Sequence, residues 1–360
     1  MKLHRKIFIS IMTLLLLVTT FTTTTYAWFK INSSAAVEGF DFEVVGGEGF
    51  VVSMDGVNYR SSIKAKDLRN YMIVNYNSEK YTIKNGELYH TSADIQVSEA
   101  EINQLLTQDM LLMPLTSTDG ITLKDLNNSE ATAKSGRYYE FSVYFKATSG
   151  NSDDKQTYTI HLNDTTTELP DGRVVDPVSI KAKELSEVTL VAPMTTFNAD
   201  GTPKVLSKGE KINVYSSNAL RISTVDTSLE TPVANIYELS DDMEYEYGSY
   251  ATNYDGTDVA LSKLYNCETN AMYTYHKNVL GRDALTDYLY DYNDLPKTIR
   301  SLDTENPVIT TVSSGEEAKL VTFRLWLEGW DADCFDGLAK SINVSLTFKS
   351  KRVSNTSSSN

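Results

Sequence analysis

Three carboxylates fall within six residues of the stretch Trp330-Asp331-Ala332-Asp333-Cys334-Phe335-Asp336-Gly337. Asp331, Asp333 and Asp336 supply the hard oxygen donors that Ca²⁺ takes, and no other spacing in the chain suggests a metal as directly. The register departs from the DxDxDG of a calcium loop, and Asp is also a residue of strand-connecting turns, so the turn reading stands ahead. The histidines are His4, His90, His161 and His276, and none forms an HExxH motif or an i,i+4 pair. His161 falls on the polar face of a strand, as a solvated residue would. There is no GxSxG elbow and no cysteine with a histidine in a recognisable catalytic context. Cys267 and Cys334 lie in no CxxC pattern. Outside the cytoplasm they either pair across a long loop, worth about 4 kcal/mol in a chain-entropy account, or stay buried thiols. The residue types therefore imply no catalytic centre and no cofactor, and the expectation is a protein that is not an enzyme.

The other informative segment is the beginning. Lys2, Arg5 and Lys6 precede the 12-residue apolar run Ile7–Val18, and Thr25 and Ala27 put small side chains three and one residues before the Ala27–Trp28 bond. This is the pattern of a signal peptide over 1–27; the alternative is an uncleaved anchor. The apolar run is well short of the ~20 residues that span a bilayer, and no second such run follows. Cleavage leaves 333 residues with no stable membrane anchor. It also removes three basic residues, taking the net charge from −15 to −18 (30 Lys and Arg against 48 Asp and Glu). Such a surface repels nucleic acid and anionic lipid. The new N-terminus would read Trp28-Phe29-Lys30-Ile31, with Phe29 and Ile31 on one face of an extended segment. That segment joins its own sheet or enters the open edge of the next copy, and the second choice builds filaments by strand addition.

The elements that must carry these segments read as β-structure. Period-2 alternation places one apolar row in each of Phe40–Val44, Tyr139–Phe145, Tyr158–Leu162, Val321–Leu327 and Ile342–Phe348, as a half-buried antiparallel strand requires. In Val321–Glu328 the outward row is Thr322, Arg324, Trp326 and Glu328. Shorter candidates are Phe50–Ser53, Val188–Ala192, Ile212–Tyr215 and Leu220–Val225. Gly46-Gly47-Glu48-Gly49, Asp55-Gly56, Asn85-Gly86, Asp119-Gly120 and Asp200-Gly201 supply turns. The expected fold is an all-β, antiparallel β-sandwich of jelly-roll type. Short helical insertions are expected at 99–107, behind the capping box Ser98-Glu99-Ala100-Glu101, at Asp283–Tyr292, and less clearly at 64–75. The sandwich is expected over 28–350, with a polar, disordered tail over 351–360. Within it, 237–300 is an insertion rich in tyrosine, holding 11 of the 22 in the chain between Tyr237 and Tyr292. Such rings either pack the insertion down or form an interaction surface.

Two segments carry a family resemblance. Thr23-Thr24-Thr25-Tyr26-Ala27-Trp28-Phe29 resembles the junction of Gram-positive matrix proteins processed by the SipW-type signal peptidase. Phe323-Arg324-Leu325-Trp326-Leu327-Glu328-Gly329-Trp330-Asp331-Ala332-Asp333-Cys334, with the closing strand Ile342–Phe348, is similar to the C-terminal signature of the BsaA-like branch, related to the TasA and camelysin biofilm proteins. Gly47-Glu48-Gly49 with Ser53-Met54-Asp55-Gly56, and Asn218-Ala219-Leu220-Arg221-Ile222-Ser223, fit more loosely. The resemblance implies a secreted subunit of extracellular biofilm matrix fibres with a jelly-roll fold, assembled through the donor strand Trp28, Phe29, Lys30 and Ile31. Its implied partners are other copies of itself and, during export, the SipW-type signal peptidase. A monomeric surface adhesin using the Tyr-rich insertion is the alternative. A camelysin-like metalloprotease stands last, because the chain offers no zinc motif to carry over.

Overall fold

In the computed structural model the described residues are 37–41, 49–148, 155–168, 174–175, 177–182, 186–189, 194–197, 203–207, 209–214, 216–239, 272, 298–299, 302, 305–331, 334 and 342–353. The Ala27–Trp28 junction, the segment Trp28–Ile31, Cys267, Asp333, Asp336 and the helix expected at Asp283–Tyr292 lie outside them. So does most of the Tyr-rich insertion.

In chain order the strands are β1 (Val37–Asp41), β2 (Phe50–Ser53), β3 (Tyr81–Lys84), β4 (Glu87–His90), β5 (Pro114–Leu115), β6 (Tyr139–Ala147), β7 (Thr157–Leu162), β8 (Thr167–Glu168), β9 (Val174–Val175) and β10 (Ser179–Ala182). There follow β11 (Ser186–Thr189), β12 (Met194–Phe197), β13 (Pro203–Leu206), β14 (Lys211–Val214), β15 (Leu220–Asp226), β16 (Val233–Tyr237), β17 (Thr310–Ser313), β18 (Lys319–Glu328), β19 (Ile342–Ser345) and β20 (Phe348–Val353). Among the described residues two α-helices interrupt them, α1 (Ala65–Tyr76) and α2 (Glu99–Gln104).

The protein is an antiparallel β-sandwich with short helical insertions. One sheet runs β16-β15-β18-β6-β2, with β5 added beside the end of β18. Facing it are two three-stranded sheets, β17-β7-β20 and β1-β19-β10. The expected alternation is realised in β6, where Tyr139, Phe141, Val143, Phe145 and Ala147 are buried and the residues between them are more exposed. Opposite them in register stand Phe323 and Val321 of β18. Phe141 and Phe323 stack with centroids 5.1 Å apart, and Phe348 of β20 meets Phe145 and Phe323 edge-on at 5.4 and 5.7 Å. Each such aromatic pair adds about 1 kcal/mol to its area burial. On the other face of the same ladder Arg324 Nε donates to Glu140 at 2.7 Å, and the hydroxyls of Ser142 and Thr322 meet at 2.9 Å. The two faces of one strand pair thus do different work, as period-2 patterning dictates.

Four features depart from the expectation. The continuous alternation Ile342–Phe348 is two strands in two sheets: β19 pairs β1 and β10, while β20 pairs β7. The pairing of β1 with β19 is parallel. The last strand runs on to Val353, into the stretch 351–360 expected to be tail. The helix expected least clearly, α1, is the longer one, because Leu68, Met72 and Ile73 bury one flank of it. In α2 the Ser98 hydroxyl caps the Glu101 amide at 3.2 Å, while the Glu101 carboxylate turns to the Tyr81 hydroxyl and the His90 ring, each at 3.0 Å. A π-helical turn, Leu105–Asp109, continues it.

Candidate functional site

Strand β15 and the stretch that runs from the end of β18 to Asp331 meet in space. Strand β15 lies against β18 with Arg221 opposite Trp326. Beyond β18 the chain turns: the Asp331 amide donates to the Glu328 carbonyl at 3.1 Å and the Cys334 amide to the Asp331 carbonyl at 3.0 Å. This turn brings the Asp331 carboxylate onto Nη2 of Arg221. The same nitrogen is 3.3 Å from Glu238, just past β16. Nη1 donates to the carbonyls of Asn218 and Leu220, each at 3.1 Å. Glu328 completes the group, its two oxygens accepting from Trp326 Nε1 and the Trp330 amide, each at 3.2 Å. Arg221, Glu238, Glu328 and Asp331 are 1%, 4%, 1% and 0% exposed.

Three carboxyls around one guanidinium leave negative charge that water cannot solvate. The outcome is visible in Glu328. Burial pushes its carboxyl up to about 7, against the opposing pull of Arg221 and of the hydrogen bonds from Trp326 and Trp330. A carboxyl near neutrality beside an arginine is the environment of an acid–base catalyst, but here no reacting molecule reaches it without opening the fold. What this arrangement does is hold β15, the end of β16 and the turn after β18 in one place. Breaking such a group by removing one partner is costly because a buried charge is left behind.

The burial has a source that alternation alone misses. Trp326, on the row expected to face solvent, is fully buried together with Leu115, Leu123, Ala131, Tyr138 and Ile236 in a second, smaller cluster. The loop from β5 to β6 lies over the outer face of β15 and β18. It approaches closely at Gly120, where φ is +70° and an added Cβ would stand 3.0–3.1 Å from Ile236 and Ser223. The Ser223 hydroxyl donates to the Gly120 carbonyl at 2.7 Å. At the other end the Met272 amide donates to the Gly329 carbonyl at 2.9 Å, and the Met272 side chain would meet a Cβ on Gly329 at 2.8 Å. Met272 is thereby joined to the turn that carries Asp331.

The residues singled out in the sequence fare differently. Asp331 is a turn residue, as expected, but it is buried and committed to Arg221 rather than open to a cation. Cys334 is buried next to it. His161 is the clear correction: it is 6% exposed, not solvated. Its Nδ1 lies 3.1 Å from the Asn306 carbonyl, so that nitrogen carries the proton, and Nε2 accepts from the Thr159 hydroxyl at 2.9 Å. Burial lowers its pKa below the usual histidine value, with Lys351 and Lys349 adding to the effect. Arg221, Glu238 and Glu328 were not singled out for any role. The pattern that could have found them is a charge set directly among apolar strand residues, as in Leu220-Arg221-Ile222 and Leu327-Glu328. No helix among the described residues is long and apolar enough to cross a membrane. Comparison with known proteins finds no counterpart for this arrangement: no family model, no curated protein and no solved structure matches the chain.

Proposed function

We propose that the chain is an exported structural subunit of an extracellular biofilm matrix fibre, in which residues Trp28–Ile31 complete a sheet of the neighbouring copy. The observation that carries this reading is the position of β1. It is one of the two edge strands of the β1-β19-β10 sheet and is the first described strand after the expected cleavage point. The nine residues 28–36 join the expected cleavage point to this strand, and nine residues fully extended span about 30 Å. That is enough for a four-residue hydrophobic strand to join another molecule while β1 stays in its own. The buried clasp at Arg221 fits a subunit that must bear load rather than turn over a substrate. Two other edges, those of β2 and β20, are closed or blunted among the described residues. Val52 and Arg60 exchange both backbone hydrogen bonds at 2.9 Å outside β2, and β20 carries Lys349, Lys351 and Arg352, the edge charges that discourage unwanted pairing.

The test is the intact mass and the sedimentation of the exported product. The reading expects a chain beginning at Trp28 that sediments as a polymer. A product that retains its leader, or one that stays monomeric when concentrated, overturns it.

A further inference from the structure

A cavity of about 420 Å³ opens between the end of β2, the loop 54–60, α1 and the β3–β4 hairpin. The volume lies within the ~300–1,000 Å³ of small-molecule sites. Its lining includes the aliphatic side chains of Val52, Ile63 and Ile83, the first two buried, and the aromatic Tyr71. The rim is a single ion pair, Arg60 Nη1 to Asp67 Oδ2 at 2.8 Å. Among the described residues neither the other guanidinium N–H groups of Arg60 nor Oδ1 of Asp67 has a hydrogen-bond partner. Donor and acceptor thus stand side by side in a cavity that also offers aliphatic and aromatic lining.

The loop that shapes this rim is rigid. Asp55 Oδ1 accepts from the Ser53 hydroxyl at 2.7 Å and from the amides of Val57 and Asn58 at 2.9 and 2.7 Å, and Oδ2 accepts from Asn58 Nδ2 at 2.7 Å. Burial alone would raise the Asp55 pKa; these bonds outweigh it and hold the carboxyl far below the usual range. Asp55 is thereby spent on its own loop, and Asp67 is already balanced by Arg60. No surplus carboxylate remains to hold an ammonium group, and the formal charge of −1 from Asp55, Asp67 and Arg60 disfavours an anion.

We infer that this cavity binds a neutral pyranose. A sugar's adjacent hydroxyls each donate and accept, so one can donate to Asp67 Oδ1 while its neighbour accepts from Arg60, and the C–H face of the ring lies on Tyr71 and the aliphatic lining. The Tyr71 hydroxyl stays protonated and able to donate, since burial and the nearby Asp55 and Asp67 raise its pKa. The preformed loop spares the ligand the cost of ordering it. The inference is independent of polymerisation, because the whole cavity lies within one chain.

The test is calorimetric titration of the full exported chain with glucose, galactose, mannose and N-acetylglucosamine, with tetrasaccharides of glucose and of N-acetylglucosamine, and with glucuronate and inorganic phosphate. At least one neutral sugar should bind saturably with a dissociation constant in the range of about 1 mM. Asp67→Asn and Arg60→Met should each weaken it tenfold or more, with thermal melts confirming that both variants fold. Tighter binding of a tetrasaccharide marks a polysaccharide as the source, and equal binding marks free sugar; both support the site. Absence of neutral-sugar binding, binding that survives both substitutions, or equal binding of glucuronate or phosphate overturns it.

Discussion

Replacing Glu328 by glutamine should flatten the pH dependence of stability. The folded carboxyl titrates at about 7 against a reference of 4.5, so the folded state holds this proton more tightly than the unfolded chain does. A group shifted in this direction contributes stability that is fully present below pH 4.5 and is lost as pH rises through 7. The shift is worth roughly 3 kcal/mol across that window. His161 works the other way: its pKa is lowered in the fold, so its contribution is lost as pH falls below its unfolded value of 6.5. Comparing the variant with the parent at each pH cancels the His161 effect and isolates Glu328. Glutamine keeps the shape and one acceptor but loses the second, so a uniform offset of about 1 kcal/mol is expected from the bond to Trp326 or Trp330. Urea unfolding at a series of pH values, followed by the fluorescence of Trp326 and Trp330 beside the carboxyl, measures both terms. If Glu328→Gln retains the parent's full loss of stability between pH 5 and 8, the assignment of that titration to Glu328 is wrong.

Arg221→Met should destabilise the fold by about 3–5 kcal/mol, because Asp331 and Glu238 would be left buried without their cation; thermal unfolding at neutral pH measures it. The double variant Arg221→Met with Asp331→Leu should recover part of that loss, and a deeper loss would contradict the ion-pair account. Gly120→Ala should cost about 2 kcal/mol, combining a left-handed φ with a Cβ pressed against Ile236 and Ser223. A neutral result in chemical denaturation would show that the loop from β5 to β6 can lift away from the sheet.

Much of the fold was legible because burial follows residue period. Tyr139–Phe145 and Val321–Leu327 show their inward rows directly, and Asn85-Gly86 gives the β3–β4 turn with φ of +54° and +80°, as a two-residue hairpin needs. The Ser98 cap was likewise readable. What the sequence hid was long-range covering. Trp326 and Glu328 read as an outward row because nothing local announces that the loop carrying Leu115, Leu123 and Tyr138 folds over them. His161 went wrong for the same reason: its partner, the Asn306 carbonyl, lies 145 positions away. The change of sheet between β19 and β20 leaves no mark on the alternation, since Leu346 and Phe348 continue the same apolar row. The clasp was only half legible. Arg221 and Asp331 stand 110 positions apart, and their meeting depends on the register of β15 against β18.

Assembly through the leading segment is tested most directly by electron microscopy of the processed chain beside one lacking Trp28–Ile31. Filaments should form from the first and only dispersed, folded particles from the second. Indistinguishable filaments from both would contradict it.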